Sequence, residues 1–136
     1  MASYPELLHT VLDATDVRGL AEFYRELLGL SYRSGDEPPE DGPDDADWLV
    51  LLGPDGRRRL AFQRVETLQP STWPDHDVPM QLHVDYTVTD AGELERHRGR
   101  AIDLGARLLL DRCADGDEPL YVLADPAGHP FCIFVA

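Results

Sequence analysis

Leu8-His9-Thr10-Val11-Leu12-Asp13-Ala14-Thr15-Asp16 and Leu82-His83-Val84-Asp85-Tyr86-Thr87-Val88-Thr89-Asp90 share one layout, met twice at an offset of 74 residues. Each opens on Leu-His, runs through an alternating segment and closes on Thr-Asp. Self-similarity at a fixed offset is the mark of a duplicated structural unit. The alternation predicts a strand and the closing aspartate predicts a helix start, because Asp16 and Asp90 can accept from the free amides of a first helical turn. Glu93, three residues after Asp90, adds the spacing of a capping box.

Helical periodicity follows each aspartate, with Val17, Leu20, Ala21, Tyr24, Leu27 and Leu28 in the first half and Leu94, Ala101 and Leu104 in the second. Gly29 and Gly105 stand where a helix takes a left-handed terminal residue. Beyond them the period becomes that of strands: Leu30 to Arg33, Trp48 to Leu52 and Leu60 to Val65, then Arg107 to Leu110, Leu120 to Leu123 and Phe131 to Val135. The last two strands of each set flank a turn, Gly53-Pro54-Asp55-Gly56 and Asp125-Pro126-Ala127-Gly128. Both halves thus read β-α-β-β-β. Residues 70–79, with three prolines, break regular pairing and predict a linker between a module at 1–69 and a module at 80–136 within one domain.

The chain has 136 residues and a formal charge of −14, and 43% of it is hydrophobic, enough for a core in a single domain. No stretch reaches the roughly 18 apolar residues of a membrane span, and Met1 to Glu6 lacks the basic-then-apolar layout of a signal peptide, which predicts a cytoplasmic protein without a membrane partner. Cys113 and Cys132 form no CxxC pair or disulfide framework and are expected as reduced thiols. So acidic a surface repels phosphate backbones; the one local basic cluster is Arg57, Arg58 and Arg59, so nucleic acid is not an expected partner. A cationic small molecule would be drawn to the same field. Residues 36–47 carry seven acidic residues among twelve and predict a solvated loop, a flexible excursion unless it gates a cleft.

Alternate residues of a strand face the same side, so His9, Val11 and Asp13 share a face, as do His83, Asp85 and Thr87. Packed about a pseudo-twofold axis, two such strands would aim both histidines into one concavity. Gln63 on the last strand of the first half and Cys132 on that of the second complete a set of N, O, N and S donors. Trp48, Trp73 and Tyr121 are the aromatic candidates for a ligand wall, Trp73 because a tryptophan in a proline-rich linker has no evident core role.

Leu7-Leu8-His9-Thr10, the Asp16 cap, Phe23-Tyr24, Leu28-Gly29-Leu30 and the closing Asp125-Pro126-Ala127-Gly128-His129-Pro130-Phe131-Cys132 resemble the vicinal oxygen chelate superfamily, the glyoxalase, bleomycin-resistance and extradiol-dioxygenase group, in its glyoxalase-like branch. The resemblance implies an α+β fold of two βαβββ modules forming curved mixed sheets around a central cavity, and a homodimer. It also implies metal-ligand positions on the first and last strands of each module, His or Gln on the first and Glu on the last. His9 and His83 match the first-strand positions, Gln63 falls at the first module's Glu and Cys132 at the second's.

Two functions follow as expectations. With no glutamate at the matched positions, the chain reads as a small-molecule-binding protein that holds a cationic or aromatic compound in an acidic cleft without a metal cofactor, using His9, Asp13, Trp48, Gln63, Trp73, His83, Asp85 and Tyr121. The alternative is a metal-dependent lyase, isomerase or dioxygenase, with one Ni, Zn or Fe ion on His9, Gln63 and His83, Cys132 at the fourth position, and Asp13 or Asp85 as the catalytic base.

Overall fold

A computed structural model describes residues 3–136. The chain divides into two compact units, one ending at Glu66 and the other beginning at Thr67. The first contains β1 (Thr10–Ala14), α1 (Val17–Leu28), β2 (Ser31–Tyr32), β3 (Trp48–Leu52) and β4 (Arg58–Arg64). The second repeats the order with β5 (Val84–Val88), α2 (Ala91–Asp103), β6 (Arg107–Arg112), β7 (Leu120–Ala124) and β8 (Pro130–Val135). The fold is α+β, made of two βαβββ modules.

Each unit has an open four-stranded sheet, ordered β1-β4-β3-β2 and β5-β8-β7-β6. Both sheets are mixed: β1 runs parallel to β4 and β5 parallel to β8, while the remaining pairs are antiparallel. The first strand of each unit is therefore an edge strand, delivered beside the last by the intervening helix and hairpins.

Helix α1 starts where Asp16 accepts from the Gly19 amide at 3.0 Å, and ends at Gly29 in the left-handed region with φ 66°. Its apolar stripe, Leu20, Ala21, Phe23, Tyr24 and Leu27, is buried. Tyr24 stacks on Phe62 of β4 with ring centroids 6.0 Å apart, and Phe23 meets Tyr24 edge-on at 4.9 Å. The register sets Leu12 and Leu49 on either side of Phe62, so these three side chains form the helix-facing row of the first sheet. Burying each large apolar side chain here contributes about 1.5–3 kcal/mol. Helix α2 is the more polar of the two: Asp90 caps it through the Glu93 amide at 2.8 Å, but only Leu94 and Ala101 are fully buried along it. The Glu93 carboxylate is turned toward Arg96 and His97.

The two hairpin turns close as the sequence predicts. The Gly56 amide donates to the Gly53 carbonyl at 2.9 Å and the Gly128 amide to the Asp125 carbonyl at 2.8 Å. At Gly128, with φ 93°, a Cβ would also lie 2.3 Å from Cβ of Pro70. The proline-rich stretch is thus packed against the final hairpin of the second unit. It is an ordered loop, tied by mutual bonds between Thr72 and Val78 and containing a cis Trp73-Pro74 bond.

Among the described residues, no helix is long and apolar enough to cross a membrane.

Candidate functional site

Pleating gives every strand of the first sheet a side turned from α1. Asp13 of β1 lies opposite Gln63 of β4, and Gln63 lies opposite Trp48 of β3, so the three occupy one row across three strands. Trp48 keeps 37% of its surface exposed, far more than the buried aromatics on the helix side. The His9 ring lies 6.0 Å from the Trp48 ring at an angle of 52°. Acceptor, amide, indole and imidazole together suit a planar molecule with a polar or cationic edge.

His9 also borders a cavity of about 580 Å³ with Glu6, Leu8, Asp55 and Arg57 to Arg59. Its Nδ1 is buried without a hydrogen-bond partner. Burial, then the positive charges of Arg58 and Arg33, hold its pKa below the ordinary histidine value. The field at the His9 end of the first sheet is locally positive in a chain that is strongly acidic as a whole.

In the second sheet the register sets Asp85 of β5 beside Cys132 of β8. His83, two residues before Asp85, projects to the same side by alternation, and its Nε2 lies 3.2 Å from Asp85 Oδ1. One ligand atom from each of His83, Asp85 and Cys132 falls within 4.8 Å of the others. Burial pushes the Cys132 thiol up to about 11, with the adjacent Asp85 carboxylate adding to the shift.

The strand registers locate the last-strand positions of the two units relative to each other in the repeat. Val11 and Asp85 hold the same place in the repeat; Val11 is paired with Ala61 and Asp85 with Cys132. Ala61 is therefore the counterpart of Cys132, and Gln63 lies two residues further along β4. Neither last-strand position carries a carboxylate, so the hard, glutamate-containing set is not assembled and no chemical step is derived through it.

Other sequence candidates are placed elsewhere. Tyr121 is buried, and its hydroxyl donates to Glu95 of α2, so it faces the helix rather than the side of Asp85 and Cys132. The alternation of β7 left both directions open, and the Glu95 acceptor decides between them. Trp73 is half-buried within its loop, whose hydrogen bonds run between Ser71, Thr72 and Val78. The acidic stretch is pinned: Asp44 pairs with Arg18 at 2.6 Å, while the Asp36 carboxylate pairs with Arg33 and accepts from the Val50 amide at 2.9 Å. Sequence reasoning missed Arg18 and Arg33 as its anchors. The missed signal was local charge, two arginines that precede a stretch in need of counter-ions.

No curated protein matches the sequence significantly. Among solved structures, a glyoxalase/bleomycin resistance protein/dioxygenase family enzyme from Burkholderia phytofirmans has 15% identity and a TM-score of 0.70, covering 96% of this chain and 98% of that one. A possible glyoxalase from Bacillus cereus has 17% identity and a TM-score of 0.64, covering 94% and 96%. A variant of the fosfomycin resistance protein FosX from Listeria monocytogenes, solved with Mn(II) and dihydroxypropylphosphonic acid, has 15% identity and a TM-score of 0.70, covering 98% and 94%. At these identities the likeness is one of fold. The sequence itself matches the glyoxalase-like domain family over residues 9–134, and the chain belongs to that family, within the vicinal oxygen chelate superfamily.

Proposed function

We propose that this protein binds a small planar, cationic organic molecule on the open side of its first sheet and holds it without a metal ion at that surface. The observation that carries the proposal is the row Asp13, Gln63 and Trp48, which sets a carboxylate and an amide beside an exposed indole. Stacking on Trp48 supplies the main contact, and Asp13 supplies charge complementarity at the ligand's cationic edge. Arg57 to Arg59 make the His9 end of the sheet unfavourable for the cation and orient it toward Asp13. The net charge of −14 raises the local concentration of cations. The FosX relative holds a phosphonic acid together with Mn(II), whereas the first sheet here has no carboxylate where the family places its last-strand ligand. The cytoplasmic location and the homodimer implied by the resemblance belong to the same proposal.

The test is a thermal-shift and Trp-fluorescence screen with cationic aromatic drugs in EDTA, with methylglyoxal hemithioacetals as the counter-probe. A saturable shift that persists in EDTA and weakens at least about tenfold in Trp48→Ala and in Asp13→Asn supports binding at this surface, a loss of at least about 1.4 kcal/mol. Turnover of a hemithioacetal, abolished in the His9→Ala/His83→Ala double variant, would overturn it in favour of a metal-dependent enzyme.

A further inference from the structure

The cavity of about 580 Å³ at the His9 end of the first sheet is lined by residues of the first unit alone, from the segment that leads into β1 and from the hairpin turn that opens β4. Its volume falls within the range of about 300–1,000 Å³ that small-molecule sites occupy. Its charge runs against that of the chain. All 12 basic residues are arginines, and 26 acidic residues face them. Arg59 pairs with Asp55 at 3.0 Å, but Arg57 and Arg58, which border the same cavity, pair with no carboxylate among the described residues. Glu6 is the other carboxylate of the wall, so three arginines against two carboxylates leave one net positive charge with His9 in its neutral form. The wall is also apolar: Leu7 and Leu8 border the cavity while 85% and 59% of their surfaces stay exposed. Exposed apolar surface rimmed by polar groups is a mark of a ligand site.

We propose that this cavity is a second small-molecule site, one that takes a monoanionic carboxylate carrying an apolar body. The carboxylate lies against Arg57 and Arg58, whose planar guanidinium groups match its two oxygens, and the apolar body lies against Leu7 and Leu8. The charge of the wall selects a monoanion. One negative charge offsets the net positive charge, whereas the dianion of a phosphate monoester leaves an excess of negative charge beside Glu6 and Asp55. The site is independent of the cation-binding surface proposed above: it draws on neither Trp48 nor Asp13, it takes a ligand of opposite charge, and failure of one leaves the other standing.

The experiment is titration of the full-length protein with phenylacetate, followed by amide chemical shifts and by calorimetry, beside phenylacetamide, acetate and phenyl phosphate. The expected result is one saturable equivalent of phenylacetate, with shifts concentrated in residues 6–10 and 55–59. Phenylacetamide lacks the charge, acetate lacks the apolar body and phenyl phosphate carries a second charge, so each should bind at least about tenfold more weakly. Arg57→Gln and Arg58→Gln should each weaken phenylacetate at least about tenfold, and Glu6→Gln should tighten it about twofold or more. The Leu7→Ser/Leu8→Ser double variant should weaken it at least about tenfold through the lost apolar wall. Trp48→Ala and Arg107→Gln, the latter at an exposed arginine of the second unit, should leave it unchanged. Circular dichroism of each variant separates loss of the site from loss of fold. No saturable binding in a folded protein, binding that survives the Arg57→Gln/Arg58→Gln double variant, or equal loss in Arg107→Gln would overturn the site. Phenyl phosphate binding as tightly as phenylacetate would overturn its selection of a monoanion, and a loss in Trp48→Ala as large as in Arg58→Gln would overturn its separation from the stacking surface.

Discussion

The guanidinium of Arg18, on the first turn of α1, grips the acidic segment at two points: its Nε lies 2.6 Å from Asp44 Oδ2 and its Nη1 donates to the Asp36 carbonyl at 2.7 Å. It also lies 5.0 Å from the centre of the Tyr32 ring. One side chain therefore replaces solvent for a segment whose own carboxylates repel one another. Arg18→Met keeps the aliphatic stem and removes these interactions. Because the pair is partly exposed, at 18% and 30% of the two side chains, the expected loss of stability is only about 1 kcal/mol. Proteolysis should respond more strongly, with cleavage between residues 37 and 47 appearing in the variant under conditions where the parent is resistant. Equal resistance would show that Arg18 does not hold the segment.

A second prediction concerns Gly19, whose amide donates to Asp16 Oδ1 at 3.0 Å. A Cβ at this position would lie 2.3 Å from Asp16 Oδ2, so Gly19→Ala forces the cap to swing away. The cap contributes about 1 kcal/mol, while alanine gains up to about 1 kcal/mol in helix propensity, and the two nearly cancel. In an Asp16→Ala background there is no cap to displace, and Gly19→Ala should stabilise. Urea unfolding of the four proteins should therefore give a coupling energy of about 1 kcal/mol; strict additivity would mean that the alanine and the aspartate do not meet.

The sequence contains the caps at Asp16 and Asp90, the two glycine turns and the βαβββ order because these are local signals: a side chain acts on amides three residues away, or a turn on its own four residues. Register is a different matter. Asp85 and Cys132 are neighbours only because β5 adds parallel to β8 at one particular stagger, and nothing within either strand specifies that stagger. The same limitation placed Gln63 two residues from the position it was expected to fill, since the hairpin after Leu52 begins β4 at Arg58 with an irregular step between Leu51 and Leu52. Tyr121 shows another limit: β7 is Leu-Tyr-Val-Leu-Ala, apolar on both faces, so its pattern cannot indicate which side meets the helix. The candidate residues could be named from sequence, but their grouping into a stacking row on one sheet and a three-donor cluster on the other required pairings across dozens of residues.

A third prediction tests the two faces of β4 against each other. Phe62 is fully buried beneath Tyr24, whereas Gln63 is exposed on the opposite side. Phe62→Ala should cost about 3–5 kcal/mol in denaturant unfolding, through lost transfer energy and the cavity left under the helix. Gln63→Ala should stay within about 0.5 kcal/mol of the parent. A large loss at Gln63 with a small one at Phe62 would mean the strand is turned over.

The last prediction uses His9, whose folded-state pKa is lowered by burial and by the charges of Arg58 and Arg33. The unfolded chain titrates this imidazole near its ordinary value of 6.5, so at pH values between the two the unfolded state binds more protons than the native state. Native stability therefore rises with pH across that window, and acidification from above 6.5 costs stability until both states are protonated. Because its Nδ1 is buried without an acceptor, a proton placed there gains no compensating bond. Comparing the pH dependence of urea midpoints in the parent and in His9→Gln isolates this contribution from the other histidines, and the parent should lose more stability than the variant between pH 7.5 and about pH 5. Imidazole chemical shifts should place His9 below 6.5 in the parent and move it upward in Arg58→Gln. A His9 titration at or above 6.5, or a steeper pH dependence in His9→Gln than in the parent, would contradict both the burial and the positive field assigned to that end of the sheet.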